Sequence, residues 1–103
     1  MDQHVNQISI AGTLCKPARL RKSPAGIEHL YVLLEHRSQQ PEAGLLRQCY
    51  VRIQVIHSGD HLEHWLEKLT VGCEIEARGF LHRHEDSNGL AKLVLHAQHL
   101  VKK

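Results

Sequence analysis

Five stretches alternate apolar and polar residues with a period of two, and one stretch between the third and fourth carries a helical period. Gly, Pro and Asn turn signals separate them. These observations predict an all-β chain with one short helix, a five-stranded OB-fold Greek-key barrel made by residues 1–103 as a single domain. A β-sandwich, the competing all-β architecture, needs about seven strands.

The first strand lies within Val5 to Leu14, with Ile8, Ile10, Gly12 and Leu14 on one parity and Gln7, Ser9 and Thr13 on the other. Leu30, Val32 and Leu34 mark the second, alternating with Tyr31, Leu33 and Glu35. In the third, Cys49, Val51, Ile53 and Val55 alternate with Tyr50, Arg52 and Gln54. The fourth runs from Cys73 to His82 and the fifth from Lys92 to Gln98, each with apolar residues at every second position. Between the third and fourth, Leu62, Trp65, Leu66 and Leu69 share one helical face, with Asp60 as the expected N-cap and Glu63 completing a capping box. Residues 16–28 and 38–45 read as loops, and Asn88-Gly89 reads as a type I′ hairpin turn.

Composition narrows the class further. The net charge of +2 is small, but it is unevenly spread. Residues 60–76 hold five acids against Lys68 alone, leaving the rest of the chain clearly basic, so one acidic and one basic surface are expected. No apolar run is long enough to span a bilayer, and Met1-Asp2-Gln3-His4 lacks a leader pattern, so a soluble cytoplasmic protein is expected. Cys15, Cys49 and Cys73 have no paired spacing and are read as reduced core thiols. Ten histidines include His82 with His84, His61 with His64 and His96 with His99, yet none falls in a zinc spacing, so neither a metal nor another cofactor is expected. Surface histidines gain charge as pH falls, which would strengthen phosphate binding. No Gly-rich phosphate loop, GxSxG, HExxH or kinase motif occurs, so catalysis is not expected.

A single-strand binder needs cations for phosphates and aromatic faces for bases. In OB-folds the binding surface is the face of strands two and three, with the loops joining strands one–two and four–five. The first of those loops contributes Lys16, Arg19, Arg21 and Lys22; Arg37 follows the second strand. Arg47, Tyr50 and Arg52 come from the third, Arg83 follows the fourth, and Lys92 begins the fifth. Tyr50 lies opposite in parity to Cys49, Val51 and Ile53 and should face outward, where a stacked base is worth about 1–3 kcal/mol. Tyr31 is a second candidate, whereas Trp65 and Phe80 are assigned to packing.

Several ordered segments carry a family resemblance. They include Ile10-Ala11-Gly12-Thr13-Leu14-Cys15, the run from Leu20 to Ile27, Leu34-Glu35-His36-Arg37-Ser38, Thr70-Val71-Gly72 with Gly79-Phe80, and Asn88-Gly89-Leu90 with Leu93 to Ala97. The chain resembles the primosomal replication protein N (PriB) family, relatives of bacterial single-stranded DNA-binding proteins. The resemblance implies a homodimer of OB-folds that binds single-stranded DNA without catalysis. It also implies association with a PriA-type restart helicase and a DnaT-type loader protein. Motif by motif, the family's DNA contacts fall on Lys22, Arg37, Arg47, Tyr50 and Lys92, with Tyr50 where the best-known members carry tryptophan.

Three features depart from the family. The lysine-rich loop of those members reads His82-Arg83-His84-Glu85-Asp86-Ser87 here, Leu45 replaces an aromatic, and the 60–69 helix resembles that of ordinary single-strand binders. Weaker DNA binding, with more of the function in protein contacts, is the expectation. Two other functions compete: a general DNA-coating protein, and an OB-fold adaptor with little nucleic-acid affinity. A coating protein would carry an acidic tail, whereas this sequence runs to Lys103 directly after its last strand, which favours the primosomal role.

Overall fold

In this computed structural model the elements follow as β1 (Ile8–Leu14), β2 (Arg19–Lys22), β3 (Glu28–Glu42), β4 (Leu45–Gly59), α1 (His64–Lys68), β5 (Glu74–Glu85) and β6 (Ala91–Lys102). The structure describes residues 4–103; the Met1-Asp2-Gln3 start, read above for a leader, lies outside them. Strands are hydrogen-bonded in the order β1-β5-β6-β4-β3-β2, and β1 also pairs with β3 through Thr13↔Glu35 and Leu14↔Leu34. That pairing closes a five-strand barrel of β1, β5, β6, β4 and β3, the predicted OB architecture, with β4 and β6 running parallel.

Closure depends on a residue without a side chain. A Cβ at Gly12 would overlap the Glu35 carbonyl oxygen, so only glycine lets β1 approach β3 this closely. Inside, Leu14, Leu30, Leu34, Ile75, Leu95, Val32 and Val55 are fully buried. Leu62 and Leu69, flanking α1, cover one end of this core.

Five local expectations are corrected. The 16–28 loop contains a sixth strand, β2, which forms a hairpin with β3 and aligns Arg19 with Tyr31 and Arg21 with His29. Pro17 and the Pro24-Ala25-Gly26 turn bracket this strand, whose mostly charged residues carry no apolar alternation. The 38–45 loop is instead the distal part of a 15-residue β3–β4 hairpin. Its two-residue turn, Ala43-Gly44, has φ of 53° and 79°, the positive values of a type I′ turn.

The Asn88-Gly89 turn is also of another kind. Only Gly89 has positive φ, and Gly89 N–H donates to the Asp86 carbonyl, making a three-residue loop between Asp86 and Leu90. Asp86 Oδ1 accepts from the Asn88 and Leu90 N–H groups. The helix, finally, is five residues long, and its cap is Glu63 with no side-chain hydrogen bond. Asp60 does not cap it; the buried Glu28 carboxylate reaches across instead and accepts from Leu62 N–H at 2.9 Å. Leu66 is 43% exposed and Trp65 half-buried, so the predicted apolar face is only partly covered. The three cysteines are free and half-buried rather than in the core.

Candidate nucleic-acid interface

The β3–β4 ribbon pairs antiparallel from Glu28↔Gly59 to Glu42↔Leu45, and its register sorts side chains onto two faces. Leu30, Val32 and Leu34 with Val55 and Ile53 face the barrel interior. On the outward face lie Tyr31, Leu33, Glu35 and Arg37, opposite Ile56, Gln54, Arg52 and Tyr50 respectively.

Two cation–aromatic groups stand on this outward face. The Arg37 guanidinium lies 4.5 Å from the Tyr50 ring centroid, and Tyr50 is 52% exposed, outward as its parity predicts. Arg19 and Arg21 flank the Tyr31 ring at 5.9 and 5.8 Å. Tyr31 and Arg37 stand six positions apart on β3, a span of about 20 Å at the usual rise of a strand. Glu35 sits near them, accepting a hydrogen bond from Tyr50 Oη at 3.2 Å and pairing with Arg37 at 3.4 Å. Its charge opposes a phosphate at the ribbon's centre.

Arg52 is Glu35's cross-strand partner and donates to the Cys15 Sγ at 3.8 Å, a contact that together with Tyr50 and Glu35 holds its pKa above the ordinary arginine value. Beside it, a cleft between β4 and the β5–β6 hairpin is lined by Lys16, Arg52, Gln54, His84 and Lys92. Glu85 and Asp86 border the same cleft. Both acids are engaged: Glu85 with Arg83 at 3.3 Å, Asp86 within its own turn. They oppose a phosphate less than their count suggests.

Of the seven site residues expected from the sequence, Arg37, Tyr50, Arg52 and Lys92 are brought to this face and its adjoining cleft. The other three are not. Arg47 pairs with Gln40 on the opposite side of the ribbon, where its Nε and Nη2 both lie 2.7 Å from Glu42 Oε1. Its position is three residues from Tyr50, an odd step that inverts the side chain. Lys22 ends β2 beside Glu28, Asp60 and Glu63, near the helix. Arg83 shares the parity of Gly79 and Leu81, away from His82 and His84, and pairs with Glu85. Tyr31 with Arg19 and Arg21 forms a group the sequence did not assemble, because the signal lay in the register of an unrecognised strand.

A continuous row of cross-strand partners joins these elements: Arg19↔Tyr31, Tyr31↔Ile56, Ile56↔His96 and His96↔Phe80. The row crosses β2, β3, β4, β6 and β5 on one outward face. Phe80, assigned above to packing, is 37% exposed and stacks on His96 with centroids 5.2 Å apart. Among the described residues, no three His, Cys, Asp or Glu side chains take up a metal-binding arrangement.

A closed OB barrel with this aromatic and basic face defines a class, and comparison with known proteins agrees: a model of a single-strand binding protein family matches residues 6–99. Replication restart protein PriB of Photorhabdus laumondii is 47% identical over 95 residues, covering 92% of this chain and 90% of that protein. The chain belongs to the PriB family of replication restart proteins. The solved PriB of Ralstonia solanacearum superimposes with a TM-score of 0.75 at 26% identity, over 97% of this chain and all of the other. The single-stranded DNA-binding protein of Plasmodium falciparum, solved with single-stranded DNA, gives 0.77 at 12% identity over the whole of this chain and 98% of the other, a likeness of fold alone.

Proposed function

We propose that this chain is a non-enzymatic single-stranded DNA-binding protein of replication restart, acting in the cytoplasm. Its DNA surface is the outward β3–β4 face with Lys16 and Lys92 at its border. One observation carries the reading: Tyr50 with Arg37 and Tyr31 with Arg19 and Arg21 present stackable rings with adjoining cations on one face. That combination suits a flexible strand, whose bases stack and whose phosphates seek cations. In this reading it bridges a PriA-type helicase to a DnaT-type loader, supported by its relatives' role in replication restart.

The reading includes a homodimer. Its support is the edge of Ile8–Ile10 away from β5, which has no strand beside it among the described residues. Such an edge invites a second strand.

Fluorescence anisotropy with oligo-dT tests the DNA surface. Tyr50→Ala and Tyr31→Ala should each weaken binding by about 1–3 kcal/mol. Neutralising about three phosphates gives a slope near −2 in log K against log salt. Wild-type affinity too weak to measure at low salt would sink the reading. The adaptor alternative is favoured by one feature, the hairpin tip, where Leu45 and Leu46 are 75% and 67% exposed. It predicts helicase binding that survives Tyr50→Ala and Tyr31→Ala but not Leu46→Ser. Mass in solution checks the dimer.

A further inference from the structure

The end of the cross-strand row carries an arrangement beyond a basic groove. On β5, His82 and His84 share the parity of Phe80, and all three lie over His96 of β6. Phe80 stacks on one side of His96 with an interplanar angle of 12°, and His84 lies near it with centroids 5.3 Å apart at 25°. His82 meets both imidazoles edge-on, at 5.0 and 5.8 Å. His84 Nε2 and His96 Nε2 are 3.1 Å apart.

That last distance constrains protonation. Two imidazole nitrogens in hydrogen-bond contact need one N–H and one lone pair, so one donates and the other accepts. The contact survives with the pair neutral or with a single added proton. A second proton would leave two donors facing one another.

The surrounding groups favour the neutral state while no anion is present. His82 is on the same strand, Lys92 is the cross-strand partner of His84, and His29 of β3 approaches from beyond β4 while its Nδ1 contacts Ser58 Oγ at 2.6 Å. From β4 the same side presents uncharged Gln54 and Ile56, and from β2 the more distant Arg19 and Arg21. The nearest acids, Glu85 and Asp86, are held by Arg83 and by the turn. Burial, then the charges of His84, His82 and His29, push the His96 pKa below its ordinary value. Lys92 lies beside the pair, so an arriving phosphate offsets its repulsion as well as adding attraction.

We propose that the Phe80–His96–His84 stack is a proton-coupled subsite for the single strand: a base packs against the exposed rings, a phosphate accepts from imidazole N–H groups, and one proton moves from solvent onto the histidine pair as the strand binds. The inference rests on the DNA-binding reading above and adds to it a pH dependence located in one cluster. No covalent bond changes; the proton taken from buffer is the only species transferred.

Isothermal titration of the full chain with oligo-dT, near pH 6.5 in two buffers of different ionisation enthalpy, counts the protons. Net uptake of a fraction of a proton per site is expected, with the heat differing between the two buffers in proportion. Affinity should tighten about fourfold from pH 7.5 to 6.0 if binding raises the pair's pKa by one unit. His84→Gln, at an exposed position, should weaken binding modestly at pH 7.5 and lose most of both effects; circular dichroism confirms its fold. Wild-type binding with no proton uptake, or a His84→Gln variant with the same pH dependence as wild type, overturns the subsite and leaves the DNA-binding reading intact. Absence of binding at either pH overturns both.

Discussion

Arg37 and Tyr50 are direct cross-strand partners, and the guanidinium of one lies 4.5 Å from the ring centroid of the other while Glu35 contacts both side chains. The arginine is thereby held where its donors can meet a phosphate next to a base stacked on the ring. Planarity, not charge alone, sets this geometry. Arg37→Lys keeps the charge and loses the flat contact. Oligo-dT affinity should fall about two- to fivefold, the scale of an exposed cation–π contact, with an unchanged salt slope. Anisotropy at several salt concentrations checks both.

Glu35 puts a negative charge at the same place, where it would oppose a phosphate. Glu35→Gln keeps a hydrogen-bond acceptor for Tyr50 and removes the negative charge that occupies Arg37. Binding should tighten at low salt, and the slope of log K against log salt should steepen by about 0.7 if one further phosphate is neutralised.

Arg47 provides the converse test. It lies across the ribbon from Tyr50 and is committed to Glu42. Arg47→Ala should change oligo-dT affinity less than twofold, within the small effects typical of remote surface sites. A loss as large as that of Tyr50→Ala would mean that the strand wraps the distal hairpin.

Ala43 has φ of 53°, a left-handed conformation that costs a residue with a Cβ about 1–2 kcal/mol. Ala43→Asn makes the Asn-Gly pair that type I′ turns prefer. Thermal unfolding should shift upward by a few degrees, on the order of 4–8 °C per kcal/mol recovered for a domain near this size. DNA affinity at the β3–β4 face should not change.

Glu76 marks the acid limit of stability. Hydrogen bonds from Arg78, Ser9 and Lys103 hold its carboxyl down at about 2, below its ordinary 4.5. A folded-state pKa below the unfolded one stabilises fully above pH 4.5, and that contribution disappears as pH falls through about 2. Glu76→Gln should flatten the stability profile across this window, as measured by urea unfolding from pH 5 to 2.

The barrel was legible because its core strands keep strict alternation: Leu30, Val32 and Leu34 face Ile53 and Val55, and Ile75 and Ala77 continue the interior. What escaped has a physical reason in each case. Beyond Leu34 and before Ile53 the hairpin extends past the core, so nothing apolar repeats to announce Ser38–Glu42 as strand. Arg19–Lys22 carries mostly charged side chains, leaving only Leu20 as an apolar signal. Parity or loop position is enough to place Arg37, Tyr50, Arg52 and Lys92 on this face and its cleft. Arg47 lies on the other side of the ribbon, an odd step from Tyr50, and Lys22 sits beside Asp60 and Glu63 rather than beside Tyr50. Tyr31 with its two arginines needed three-dimensional register.

Among the described residues, from His36 to Glu42 and from Leu45 to Val51 each strand of the β3–β4 hairpin has the other as its sole strand neighbour, whereas nearer the barrel β1, β2 and β6 add pairings. Opening this distal ladder breaks only its own rungs and leaves the core closed. Its amides should therefore exchange with deuterium far sooner than those of Val32 or Val55, and Tyr50 stands near the boundary between the two regimes. An occupant stacked on Tyr50 clamps the root of the projection and should slow exchange out toward Ala43, so protection at the far end reports occupancy at the near one.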